Sequence, residues 1–282
     1  MLYLKRHYKF HPLDLDDCLS EVQRPKIDDY ENYLFIVLHI PITSGKKSRI
    51  EVSELDIFIG QDFIVTVHED NSIISKIFSD CKKKRKIREE YLSKGAGYFL
   101  YKAIKDLFES CFPLIDDLTK HINELERDVF DEAYSRDRLQ EILLLKKDII
   151  NFRRIIMPQR AIIAQLEHKN KKFLPENLDV YFDDVVDKTE KIWNNLENLQ
   201  ELTVSLQETN ESIISHNTNN IIKILTLFSV IMLPLTFITG FYGMNLDKLP
   251  FAGHSFAVTI VSGIILLVVI IMIGFYRYKK WL

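Results

Sequence analysis

The sequence predicts an α/β domain joined to long helices that run into a segment of two membrane helices. Three observations carry this. Apolar, β-branched runs bounded by turn residues lie in the N-terminal third. No proline stands between Pro175 and Pro234, so one helix can fill most of that interval. Two stretches near the C-terminus, Ile224 to Met244 and Ser255 to Tyr276, contain no Asp, Glu, Lys, Arg or His. The chain divides accordingly into residues 1–93, the α/β domain; 94–220, the long helices; 221–245, a first membrane helix; 246–254, an external loop; 255–276, a second membrane helix; and 277–282, a basic tail.

The bulk numbers bound the function. A chain of 282 residues with a net charge of -3 holds one or two domains plus its spans, and has no global attraction to nucleic acid. Charge crowds into the soluble part and thins out in the membrane part. Cys18, Cys81 and Cys111 are far apart, in no CxxC and beside no His at metal spacing, so they read as reduced cytosolic thiols. Met1 to His11 is charged and lacks the apolar core of a signal peptide.

In chain order, His11-Pro12 followed by Leu13, Leu15 and Leu19 predicts a short helix begun by proline. Tyr33 to Ile40 reads as an apolar strand. Ile57 to Gly60 and Phe63 to Val67 bracket a tight turn at Gly60-Gln61 and read as a hairpin. His68-Glu69-Asp70 follows a strand, where adjacent residues point to opposite faces, so a polar turn is favoured over a metal site. The basic run Lys82 to Arg88 is a solvated surface, with anionic lipid or an acidic neighbour as the alternative contact.

Beyond Lys94 the pattern turns helical. Leu100, Ile104, Leu107, Phe108, Cys111 and Leu114 keep a three/four rhythm. Leu139, Ile142, Leu143, Lys146, Ile149 and Ile150 begin another helix that continues through Ile156. Pro175 at a first helical position starts a third, over 176–240, about 65 residues and about 100 Å long. Its apolar positions, Val180, Val185, Ile192, Leu196, Leu199, Leu202, Leu206 and Ile213, need partners, from an oligomer or a helical hairpin.

Each uncharged stretch spans about 32 Å as a helix, against roughly 30 Å of hydrocarbon. Lys223 borders the first, Arg277, Lys279 and Lys280 follow the second, and the loop holds Lys248 balanced by Asp247. Both ends therefore face the cytoplasm, in a multi-pass protein of the cell (inner) membrane. Thr226, Ser229, Leu233, Thr236 and Gly240 recur every three or four residues on one helix stripe, which extends inward to Ile222 and Asn219. Small and hydroxyl residues on a stripe fit close helix packing and fit a pore wall. The stripe leads to Gly243-Met244-Asn245, and a polar Asn at the mouth of a membrane helix is a candidate ion-recognition site. Pro234 in mid-span is tolerated in a membrane helix. No P-loop is present, so neither an enzyme nor an ATP-driven pump is indicated.

These residues resemble the CorA-type divalent metal ion (magnesium/cobalt) transporters over most of the chain. The resemblance rests on His11-Pro12-Leu13 with Asp17, Gln23-Arg24-Pro25-Lys26, Tyr30 to Leu38, Phe152-Arg153-Arg154 with Pro158 and Arg160, Tyr181 to Val185, Lys223 to Leu225, Pro234 to Ile238, Tyr242-Gly243-Met244-Asn245 and the Lys279-Lys280-Trp281-Leu282 ending. It implies a homopentamer shaped as a cytoplasmic funnel over a pore, with membrane lipid and divalent cations as its other partners and Mg2+ as transported and regulatory ion. It implies that Asn219, Leu225, Thr226, Leu233, Thr236 and Gly240 line the pore, with Leu225 and Leu233 as hydrophobic constrictions. It also implies that Gly243, Met244 and Asn245 form the selectivity filter, Asn245 meeting hydrated Mg2+ in its outer sphere. An amide suits that ion, which holds its waters tightly, and conduction requires binding that is not too strong. Glu208 falls at the family's regulatory acid; a solvated helix face is the alternative.

Two departures bear on this. Leu249-Pro250-Phe251-Ala252 replaces the acid-bearing outer loop of many members, leaving Asp247 as the loop's acid. The His-Pro-Leu signature, which in the family follows a longer N-terminal region, begins here at His11, so either the sheet is shorter or the sequence starts late. A zinc transporter of the related ZntB type and a membrane-anchored coiled-coil scaffold are the alternatives. The first span offers no His or Cys to bare Zn2+, and a scaffold leaves the polar stripe unexplained.

Overall fold

The computed structural model describes residues 1–20, 22–44, 49–69, 72–129, 135–168, 173–174, 179–244, 250 and 256–279. These form two units, Met1–Asn210 and Glu211–Leu282.

In the first unit, α1 (Leu2–His7) and α2 (Pro12–Asp17) precede an antiparallel meander of β1 (Lys26–Asp29), β2 (Leu34–Ser44), β3 (Arg49–Ile59) and β4 (Ile64–Val67). Strand β2 and the last five residues of β3 bury apolar side chains on both faces because both faces are covered there. Phe35, Val37 and Phe58 meet Phe10, Leu15 and Tyr33 on one face. On the other, Leu34, Ile36, Leu38, Ile40, Leu55, Ile57 and Ile59 are buried. The β3–β4 turn closes through Gly60, whose N–H donates to the Phe63 carbonyl at 3.0 Å. A Cβ at Gly60 would run into the Phe63 ring, so a larger residue there would have to displace that ring.

Helix α2 begins as its sequence predicts. Pro12 occupies the first turn, and the His11 ring accepts from the Leu13 N–H at 3.3 Å. Asp14 is buried and accepts from the Tyr30 and Tyr33 hydroxyls at 2.8 and 2.7 Å, tying the helix to the sheet. Beside it Asp56 is also buried, and that burial pushes its carboxyl up to about 6. Burial likewise pushes the neighbouring Cys18 thiol well above the usual thiol range. Cys18, Cys81 and Cys111 are free thiols.

Helices α3 (Ser72–Lys83) and α4 (Arg85–Leu92) carry the basic run at their junction. Lys84 pairs with Asp80 and Arg85 with Glu89, while the side chains of the run face solvent. The rhythm from Leu100 to Leu114 belongs to two helices, α5 (Ala96–Glu109) and α6 (Cys111–Val129). Ser110 separates them by bonding back, its hydroxyl donating to the Leu107 carbonyl at 2.6 Å. In α6 the buried position falls to Ile115, and Leu114 is half-buried.

Helix α7 (Ser135–His168) lies against β2 and β3. Helix α8 (Asp179–Tyr242) is the long helix, 64 residues; Pro175, read as its start, lies outside the described residues. The two helices run antiparallel. Lys146 donates to Gln207 at 3.0 Å, Arg153 donates to Gln200, and Arg160 holds Glu190 bidentately at 2.8 and 2.7 Å, so one number rises as the other falls. A buried stripe in α8, Phe182, Val185, Thr189, Ile192, Leu196, Leu199, Thr203, Leu206 and Asn210, repeats with alternating steps of three and four. Ile142, Leu145, Ile149, Phe152, Ile156, Gln159, Ile163 and Leu166 do the same in α7. This is the coiled-coil period, and it supplies the helical hairpin that the apolar positions require. Val180 and Leu202 are exceptions, 78% and 53% exposed, because they lie off the stripe. Leu143 and Ile150 of α7 are also largely exposed.

The second unit contains the end of α8 and helix α9 (Ala257–Tyr278). Both helices are long and apolar enough to cross a membrane.

Candidate ion pathway in the membrane helices

Helix α8 passes through Pro234 and ends at Tyr242. Its apolar side chains here are turned outward: Leu225 is 63% exposed, Leu233 71% and Phe237 70%. A soluble domain would bury them. In hydrocarbon they meet their own kind, and the helix satisfies its backbone internally.

Against this apolar surface the polar groups of the first span are hydroxyls. Thr226 donates to the Ile222 carbonyl at 2.7 Å, Ser229 to Leu225 at 2.9 Å and Thr236 to Met232 at 2.8 Å, each four residues back. Thr239, off the stripe, donates to Leu235 at 2.9 Å. Each hydroxyl proton is thus committed to the helix. The oxygen keeps lone pairs with which to accept from outside. A row of such oxygens favours donors, among them the waters around a cation.

Two glycines lie at the C-terminal end of α8. Gly243 follows the helix, its N–H donating to the Thr239 carbonyl at 2.9 Å. A Cβ at Gly243 would lie 3.1 Å from that carbonyl, so a larger residue would push on the last turn. At Gly240 a Cβ would meet nothing within 4 Å among the described residues, so none of them requires glycine there.

Of the residues singled out from sequence, Asn219, Thr226, Leu233, Thr236 and Gly240 all lie exposed on α8 at the predicted spacing, with Leu225 beside them. Gly243 and Met244 form the turn after the helix. Asn245 and Asp247 lie outside the described residues. Glu208 belongs to the first unit, where it is exposed and lines a shallow groove with Gln200, Glu201, Val204 and Ser205. Among the described residues no three His, Cys, Asp or Glu side chains come together in a way that could hold a metal ion. Asp184, in the signature near the start of α8, is bonded by Lys188 at 2.7 Å and lies 3.5 Å from Lys105, which holds its carboxyl below the usual range. Sequence reading passed over Thr239; a hydroxyl off the stripe has no periodic signal.

The family model described as CorA-like Mg2+ transporter protein matches residues 1–278. The Bacillus subtilis protein YfjQ is 31% identical over 282 residues, taking in 99% of this chain and 85% of that one. The cobalt/magnesium transport protein CorA of Thermotoga maritima is 28% identical over 276 residues, 98% of this chain and 78% of that one. More distantly, the zinc transport protein ZntB of Yersinia pseudotuberculosis is 23% identical over 188 residues, 67% and 57% of the two chains. The fold is that of the solved CorA magnesium transporter from Methanocaldococcus jannaschii, with a TM-score of 0.89 at 22% identity over 100% of this chain and 87% of that one. A match over nearly the whole chain, on a long helix that carries an apolar span, establishes that this chain belongs to the CorA-like family of divalent metal ion transporters.

Proposed function

We propose that this protein is a passive Mg2+ channel, carrying Co2+ or Ni2+ as well, which admits Mg2+ to the cytoplasm and closes when internal Mg2+ is high. The observation that carries this reading is the row of committed hydroxyls at Thr226, Ser229 and Thr236, set in an otherwise apolar span that leads to Gly243-Met244-Asn245. Mg2+ releases its waters reluctantly. Acceptor oxygens and the Asn245 amide hold those waters without stripping them, and bind weakly enough to let the ion go.

Five copies complete the pore, each contributing the stripe of one α8. Gly240 supports such an assembly, since a Cβ there would touch nothing among the described residues of its own chain. Leu225 and Leu233 are the apolar constrictions. The protein sits in the cell membrane with both termini in the cytoplasm. A divalent ion entering through 100 mV gains about 4.6 kcal/mol, twice the single-charge value, so no other energy source is required. Glu208 contributes to the internal Mg2+ sensor, where bound metal favours the closed state.

Asn245→Ala is expected to abolish Mg2+ uptake into proteoliposomes while leaving assembly intact; normal uptake by the assembled variant would overturn the reading. Mg2+ is expected to protect wild type from proteolysis and to protect Glu208→Ala less. Equal protection removes Glu208 from the sensor. Zn2+ is the second reading, favoured by the ZntB likeness, and Zn2+ flux without Mg2+ flux would select it.

A further inference from the structure

Asp56 is 4% exposed, and it lines a cavity of about 440 Å³ between the end of α2, strand β3 and the residues that follow β4. Its Oδ1 is buried and has no hydrogen-bond partner among the described residues. The neighbouring Cys18 thiol bonds to the carboxyl but brings no positive charge. A charge withdrawn from water is costly unless something pairs with it, so a buried acid in this condition calls for a partner. The sheet does place a cation in the same row: Lys26 pairs with Val37, and Val37 with Asp56. That ammonium is taken, by Asp17 at 2.8 Å and Asp28 at 2.6 Å. Among the described residues no Lys or Arg lines the cavity. Glu54, two residues back along β3, is already engaged. Its Oε2 accepts from the Gln23 N–H at 2.5 Å and lies 3.6 Å from His39 Nε2.

The rest of the cavity restricts what the partner is. Strand β4 stops pairing with β3 at Val67, opposite Asp56, and so leaves the earlier part of the β3 edge open beside the cavity. Leu19, Val22, Val52 and Val67 give it apolar walls. Glu69, exposed and also in the lining, stands two residues beyond Val67, about 7 Å along an extended chain. A buried acid, an apolar wall and an exposed acid thus follow one another. We propose that this cavity binds an aliphatic diamine, with one ammonium donating to Asp56 Oδ1, the alkyl chain against the valines and the second ammonium at Glu69. An ammonium carries three donors and needs only acceptors within reach. A metal ion needs a converging ligand set, and no three His, Cys, Asp or Glu side chains among the described residues supply one. The volume is that of a small-molecule site. The site belongs to the first unit alone, so the diamine binds whether or not the protein conducts Mg2+.

The test is calorimetric titration of the full-length protein in detergent, in excess Mg2+ so that diffuse attraction for cations is already met. Putrescine is expected to bind about tenfold or more tightly than butylamine or butanediol, tenfold being about 1.4 kcal/mol. Asp56→Asn is expected to weaken putrescine by about tenfold or more, since it removes the charge from a charge-assisted hydrogen bond. Val52→Trp fills the cavity from a half-buried position and is expected to give a similar loss without touching the buried acid. Bound putrescine is also expected to slow alkylation of Cys18, which lines the cavity, and to leave that of Cys81 unchanged. Folded wild type that ignores putrescine overturns the proposal. So does equal binding of the monoamine or the neutral diol, or full affinity in either folded variant. Putrescine that binds without protecting Cys18 overturns it as well, because the ligand is then elsewhere.

Discussion

Two stretches of one helix follow opposite rules. Between Phe182 and Asn210, α8 buries a stripe with heptad spacing and exposes Glu197, Glu201 and Glu208. Between Ile222 and Gly240 it exposes Leu225, Phe228, Leu233 and Phe237. The residue types of the buried stripe and of the exposed surface are nearly the same. What differs is the solvent for which each was selected: water expels apolar side chains into a seam, while hydrocarbon accepts them on the outside. The same Leu→Ala change therefore means different things in the two stretches.

The sharpest way to break that comparison is a matched pair. Leu196→Ala removes a fully buried side chain from the seam and is expected to cost about 2–5 kcal/mol in unfolding of the first unit. Leu233→Ala removes one that is 71% exposed and is expected to move stability by about 0.5 kcal/mol or less. On the proposed channel reading it acts instead on flux, with residual Mg2+ flux at high internal Mg2+ expected to rise. Denaturant melts and flux assays on both proteins decide the matter. Equal stability losses would end the distinction between the stretches.

A smaller effect comes from Asp56. Its carboxyl is raised from 3.8 to about 6 in the folded state, first by burial, with the nearby Glu54 charge adding to it while the Cys18 thiol opposes. The folded protein thus holds this proton more tightly than the unfolded chain does. The resulting stabilisation is complete below about pH 4 and is lost as pH rises through about 6. Asp56→Asn, which removes the charge, is expected to raise stability at pH 8 relative to wild type and to lose that advantage as pH falls to about 4. A stability difference independent of pH would show that packing, not charge, sets the effect. No counterpart exists in the first span, which has no Asp, Glu, Lys, Arg or His from Ile224 to Tyr242.

Much of this was legible in the residues. The length of α8 follows from the absence of proline after Pro175, and the spans follow from the absence of charge. The strand at β2 is visible because an apolar, β-branched run has few alternatives, and the α2 start is visible because His11-Pro12 carries its own cap. The stripe was found from spacing alone, since three/four steps fix a helix face whatever surrounds it.

What was not legible depended on partners. Val180 and Leu202 look like seam residues by type but lie off the buried face. Gln159 and Asn210 look like surface residues by type yet sit in the core, because polarity cannot reveal which neighbours close over a side chain. The break at Ser110 was hidden because its hydroxyl bonds back within one turn and leaves the helical rhythm almost undisturbed.

The hydroxyls of the first span have one more consequence, for how the protein is made. A newly inserted subunit spends time in lipid before any partner arrives. A hydroxyl whose proton found no acceptor there would penalise the lone helix and hold it back from the bilayer. At Thr226, Ser229, Thr236 and Thr239 that proton is already bound to the helix's own carbonyls. An apolar span that carries four hydroxyls can thus enter a medium that contains no water.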